Sequence, residues 1–128
     1  MKVGVPKEIK THEYRVGMTP ESVREYAARG HEVLVETGAG AGIGAGDDAY
    51  RNAGATIVPD ARSVFDAAEL IVKVKEPQPA EIAMLRPRHV LFAYLHLAPD
   101  PAQAKGLHDL QVEAKVLRWQ LNAPVVAQ

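Results

Sequence analysis

Short runs of β-branched and other apolar residues alternate with helix signals along almost the whole chain. Runs at 3–5, 33–35, 56–58, 70–74 and 90–95, with a weaker one at 112–117, are each the length of a strand. Between the first two, Thr19 is placed to cap a helix, Pro20 to fill its first position and Glu21 its first turn. Val23, Tyr26 and Ala27 would give that helix an apolar face and Gly30 its stop. Asp47 or Asp48 suits the cap of a short helix ending at Ala53 before Gly54, and Asp60 the cap of one over 63–68. A further helix is expected over 79–85, closed before Pro87, and another from Asp100 and Pro101 to about Leu110. The connections are too short to hide another element. The pattern predicts an α/β fold: an open, mostly parallel sheet with helices on both faces, in a single three-layer domain.

A chain of 128 residues buries about two thirds of its surface on folding, enough for one core and not for two. Lysine and arginine number 15 against 16 acidic residues, a net charge of −1, which gives no electrostatic case for nucleic acid or an anionic membrane surface. There is no cysteine, so disulfides, thiolate nucleophiles and cysteine-based metal sites are excluded. No apolar stretch approaches the roughly 18 residues of a membrane span, and residues 1–10 lack a secretory apolar core. A cytoplasmic location is the expectation.

Residues 38–46 hold five of the ten glycines, directly after the run at 33–35. Gly40, Gly42 and Ala45 fit the spacing of a dinucleotide fingerprint, and Asp60 stands where a ribose-binding acid would be sought. Against that reading, Gly44 and Gly46 continue the flexible stretch to Asp47, through which a phosphate-binding helix starts poorly. A tightly turning connection is the expected role.

In open parallel sheets ligands bind beyond the carboxyl ends of the strands. Three polar residues are candidates there: Arg15 after the first strand, Lys75 at the end of residues 70–75, and His96 at the end of the run beginning at Val90. Each has a plain alternative. Arg15 would serve as a surface charge, Lys75 as a rim lysine paired with Glu76, and His96 as a hydrogen-bonded core residue. Together they form a coherent chemical set. A guanidinium clamps a carboxylate at two points, an ammonium opposes a developing oxyanion, and an imidazole moves protons near neutral pH. The set suits a small 2-oxo or 2-amino acid. Period-two alternation sets Ile71, Lys73 and Lys75 on one sheet face, and a lysine inside so apolar a strand is unusual.

The stretches that carry these residues are VGVPKEIKTHEYRVGMTP at 3–20, GHEVLVETGAGAGIG at 30–44, the D-x-x-Y-x-x-A-G-A run at 47–55, VKVKEP at 72–77 and LFAYLHLAPD at 91–100. In combination they resemble the N-terminal, substrate-binding and catalytic domain of the alanine dehydrogenase and pyridine nucleotide transhydrogenase family. The resemblance spans residues 1–114, and the KVKEP and YLHLA forms favour the alanine dehydrogenase branch. It implies NAD-dependent, reversible oxidative deamination of L-alanine to pyruvate and ammonia. It also implies that Arg15 and Lys75 hold the substrate carboxylate and 2-oxo group, that Lys75 and His96 are catalytic, and that the glycine loop belongs to the substrate domain.

Residues 115–128 diverge from the family pattern and are expected to form a last strand or tail. The family's NAD-binding domain, with its own glycine fingerprint, has no counterpart here. NAD is therefore the cofactor implied by resemblance, without a binding domain in this chain, and the chain alone is expected to be inactive. Apolar surface left by a missing return segment predicts a homo-oligomer. The competing functions are a transhydrogenase alpha-subunit-like domain and a non-catalytic small-molecule or interaction module.

Overall fold

The computed structural model describes residues 1–95 and 101–110, and the backbone of 113–115. The strands are β1 (Lys2–Val5), β2 (Glu32–Glu36), β3 (Thr56–Val58), β4 (Leu70–Val72), β5 (Val90–Phe92) and β6 (Glu113–Lys115). They form one sheet in the order β3-β2-β1-β4-β5-β6, every neighbouring pair parallel. The helices are α1 (Pro20–Ala28), α2 (Asp47–Ala53), α3 (Ala61–Ala67), α4 (Pro79–Ile82) and α5 (Pro101–Asp109). The predicted α/β fold with a parallel sheet is the observed one. Strand order reverses between β1 and β4, where Val3 lies beside Leu70 and Gly4 beside Ile71. That reversal opens a crevice at the carboxyl ends of these two strands.

Alternation along the strands divides the core in two. Val3 and Val5 of β1 with Val33 and Val35 of β2 pack against Val23 of α1 and Tyr50 and Ala53 of α2. The opposite face joins Ile71 and Leu91 to Val64 and Phe65 of α3, to Leu85 and to Leu107 of α5. On the first face α1 leaves Tyr26 exposed. A pocket of about 360 Å³ opens beside it, lined among others by Met18, Leu70, Val72 and Phe92.

The caps explain where the helices begin. Thr19 Oγ1 accepts from the Ser22 N–H at 3.3 Å, and Asp60 Oδ1 accepts from the Ser63 N–H at 2.8 Å; both serve as the sequence suggests, although α3 starts two residues earlier than expected. Neither Asp47 nor Asp48 caps α2. Gly46 holds that position, and the Asp47 carboxylate reaches back to the Thr37 hydroxyl at 2.6 Å and the Gly38 N–H at 2.9 Å. The helix expected over 79–85 stops at Ile82, because the turn that follows is organised by buried His89. Its Nδ1 accepts from the Arg86 N–H at 2.9 Å, and its Nε2 donates to the Phe65 carbonyl at 2.7 Å. Asp100, the expected cap of α5, lies outside the described residues.

Candidate functional site

Two loops leave the switch point, residues 6–19 after β1 and 73–78 after β4. Glu8 binds one to the other. Its Oε1 accepts from Lys73 Nζ at 3.1 Å and from the Lys75 backbone N–H at 3.0 Å, and its Oε2 accepts from the Val74 N–H at 3.1 Å. Lys73 Nζ also lies 2.9 Å from Glu81 Oε2 on α4. The three side chains are sealed from solvent, Lys73 at 1% exposure and each glutamate at 2%. One cation between two acids leaves a formal −1, from −2 and +1. Burial pushes the Glu81 carboxyl up, against the pull of Lys73. Glu81 Oε1 meanwhile accepts from the Gln78 N–H at 2.9 Å, fastening the start of α4.

Arg15 is held by a different acid. Glu13 Oε2 accepts from Arg15 Nε at 3.0 Å and from its backbone N–H at 2.9 Å, while Oε1 accepts from Nη2 at 2.7 Å. The Glu13 side chain is 4% exposed and that of Arg15 63%. The hydrogen bond from the guanidinium, helped by the charges of Arg15 and Lys75, holds the Glu13 carboxyl down at about 2. The same hydrogen bond raises the basicity of Arg15, with further contributions from Tyr94 and Glu8. Tyr94 follows β5, and its N–H donates to the Val74 carbonyl at 3.2 Å. Arg15, Lys75 and Tyr94, from the loops after three different strands, thus share one electrostatic neighbourhood at the carboxyl edge of the sheet.

Lys75 is not paired with Glu76, the plain alternative for it. Glu76 is buried and forms its ion pair with Lys10. Arg15 is a solvent-facing charge, as its plain alternative would have it, but one whose guanidinium is braced along one edge. His96 lies outside the described residues. β4 is also shorter than the apolar run, ending at Val72, so Lys73 and Lys75 sit just past the strand. The Glu8–Lys73 contact has no local sequence signal, since it is set by the crossover; only the lysines in the apolar run 70–75 pointed toward such a network.

The glycine loop positions Arg15. A Cβ on Gly42 would come within 2.2 Å of the Tyr14 carbonyl oxygen, and one on Gly17 within 2.4 Å of the Val72 carbonyl oxygen. Residues 14–17 therefore lie in backbone contact with the glycine loop on one side and with the end of β4 on the other. A dinucleotide phosphate does not fit this loop. The space beside Gly40 is filled by the Ala45 carbonyl and the Tyr50 ring, residues Ala41–Ile43 form a 3₁₀ turn, and the Asp60 carboxylate is engaged as the cap of α3. Among the described residues, then, the glycine segment has no cradle for NAD.

A family model described as the alanine dehydrogenase/PNT N-terminal domain matches residues 4–117. The chain belongs to this family. Its alanine dehydrogenase relatives include that of Halomonas elongata, 51% identical over 85% of this chain and 29% of that protein. The alanine dehydrogenase of Bacillus subtilis is 52% identical over 89% of this chain and 30% of that protein. A solved L-alanine dehydrogenase superposes with a TM-score of 0.88 at 45% identity, covering 91% of this chain and 32% of that one. A transhydrogenase from Sinorhizobium meliloti superposes at 0.84 with 28% identity, covering 91% and 33%. The chain spans about three tenths of the length of the curated relatives it matches. Both branches of the family share the fold, and the higher identities lie with the alanine dehydrogenases.

Proposed function

We propose that this chain is the substrate-binding part of an alanine dehydrogenase, taking pyruvate or L-alanine at the carboxyl edge of β1, β4 and β5. The observation that carries the reading is that Glu13 braces the Arg15 guanidinium while Glu8 ties the Lys75 backbone to the loop after β1, so that residues 60 apart in sequence stand at one edge of the sheet. In this reading the Nη1 side of Arg15 and the Lys75 ammonium hold the substrate carboxylate and 2-oxo oxygen, and His96 is the acid/base group that moves protons at the substrate. Lys75 has a second, catalytic part, favouring negative charge on the substrate oxygen.

NAD would serve the redox chemistry of the whole enzyme and would be held by residues other than the glycine loop. A cytoplasmic location accords with the fact that no helix among the described residues is long and apolar enough to cross a membrane. The apolar pocket beside Tyr26 supports self-association into a homo-oligomer; a monomeric sedimentation profile at high concentration would contradict that part.

Isothermal titration of pyruvate into the chain tests the reading. Binding should be lost in Arg15→Ala and in Lys75→Ala, each still folded by circular dichroism. Unchanged affinity in either variant contradicts the assignment. The transhydrogenase neighbour supplies the second reading, a domain of shared fold without a keto-acid site, and absence of pyruvate binding by the unsubstituted chain would favour it.

A further inference from the structure

We infer that Glu13 sets the charge preference of this crevice, matching it to an acid with one carboxylate and disfavouring dianions of the same size. The inference rests on the pyruvate reading above and narrows its substrate class. Glu13 is bonded to the Arg15 guanidinium by two side-chain hydrogen bonds, and the Lys75 charge also lowers its carboxyl. Glu13 thus offsets one of the two positive charges assigned to the ligand. The other acids nearby have partners of their own: Glu8, which also acts on Arg15, is fixed by Lys73 and two backbone N–H groups, and Glu76 is paired with Lys10.

Geometry makes Glu13 a fixed component of the site. Its carboxylate takes three hydrogen bonds from the residue two positions along, and its side chain is 4% exposed, so an incoming anion does not displace it. It occupies the Nε/Nη2 edge of the guanidinium. A guanidinium offers carboxylates two parallel pairs of donors, and the Nη1/Nη2 pair is the one left for substrate on this exposed side chain. A bound monoanion is thereby held by two cations beside one anion. A second negative charge on the ligand would meet the Glu13 carboxylate at close range. Glu13 acts through Arg15 and through its own field, and is a positioning and specificity residue.

Pyruvate and oxalate test this, because they are planar acids of nearly equal size bearing one and two negative charges. Affinities for both are measured by calorimetry in the unsubstituted chain, in Glu13→Gln, which keeps the shape and removes the charge, and in Glu13→Asp, which keeps the charge. The ratio of oxalate to pyruvate affinity should rise about tenfold or more in Glu13→Gln and stay near the unsubstituted value in Glu13→Asp. Should the glutamine variant fail to fold, Glu13→Ser removes the same charge and is judged by the same ratio. An unchanged ratio in the uncharged variant overturns the inference while leaving the pyruvate reading intact. Loss of both ligands in a folded uncharged variant also overturns it, showing that Glu13 only braces Arg15. Failure of the unsubstituted chain to bind pyruvate overturns the underlying reading and this inference with it.

Discussion

Replacing Lys73 by methionine should be among the most destabilising single substitutions in the chain. Methionine fills much of the lysine stem's volume, so little cavity results; the loss is the cation that neutralises Glu8 at 3.1 Å and Glu81 at 2.9 Å. Two acids at 2% exposure are left facing each other without it, and removing one partner of a buried pair costs about 3–5 kcal/mol. Against the roughly 5–15 kcal/mol typical of a whole domain, and at a urea slope of about 2 kcal/mol per M, the midpoint should fall by about 2 M. The loss should depend on pH. Burial already pushes the Glu81 carboxyl up, so the folded protein holds that proton at higher pH than the unfolded chain does. Loss of Lys73 strengthens this bias, and the deficit therefore narrows as pH falls from 8 toward 5.5. Adding Glu8→Gln and Glu81→Gln to Lys73→Met should recover at least half of it. Urea denaturation at both pH values measures all of this. A deficit under about 1 kcal/mol at pH 8, or one that widens in acid, would refute the reasoning.

Other outcomes follow from the same contacts. Gly42→Ala forces the Tyr14 backbone to move from a 2.2 Å contact, at a cost of about 1–3 kcal/mol. Pyruvate affinity should fall more than fivefold in the folded variant, as read by titration, and unaltered affinity would show that the glycine loop does not position Arg15. Asp60→Ala removes the acceptor for the Ser63 N–H and should lower the urea denaturation midpoint, and an unchanged midpoint would contradict its role as the cap of α3. Burial lowers the His89 pKa, so the unfolded chain takes up this proton first and stability should drop as pH falls below about 6.5. That pH-dependent loss should shrink in His89→Asn, and an identical slope in the variant would contradict it.

What could be read from the chain was whatever depends on neighbours in sequence. Thr19, Pro20 and Asp60 announce helix starts through bonds made within three residues, and the runs at 33–35 and 70–74 announce strands through residue type alone. The length of β4 was not legible, because Lys73 leaves the strand to meet Glu8 and Glu81 across the crossover. Asp47 misled for a similar reason: its carboxylate has the chemistry of a cap, yet the Thr37 hydroxyl and the Gly38 N–H, ten and nine residues away, claim it. In the candidate site the cations Arg15 and Lys75 were visible by their place at strand ends. Glu8 was not, since it reaches 67 residues along the chain to the Lys75 N–H. Nor did the glycine spacing reveal that the room beside Gly42 is taken by the Tyr14 backbone.

The most direct test is a pyruvate titration of the isotope-labelled chain followed by NMR, reading the Arg15 guanidinium, the Lys75 ammonium and the His96 ring together. The account predicts that all three signals shift and saturate along one binding curve. Signals that shift along separate curves, or a response from only one of the three groups, would contradict a common keto-acid crevice.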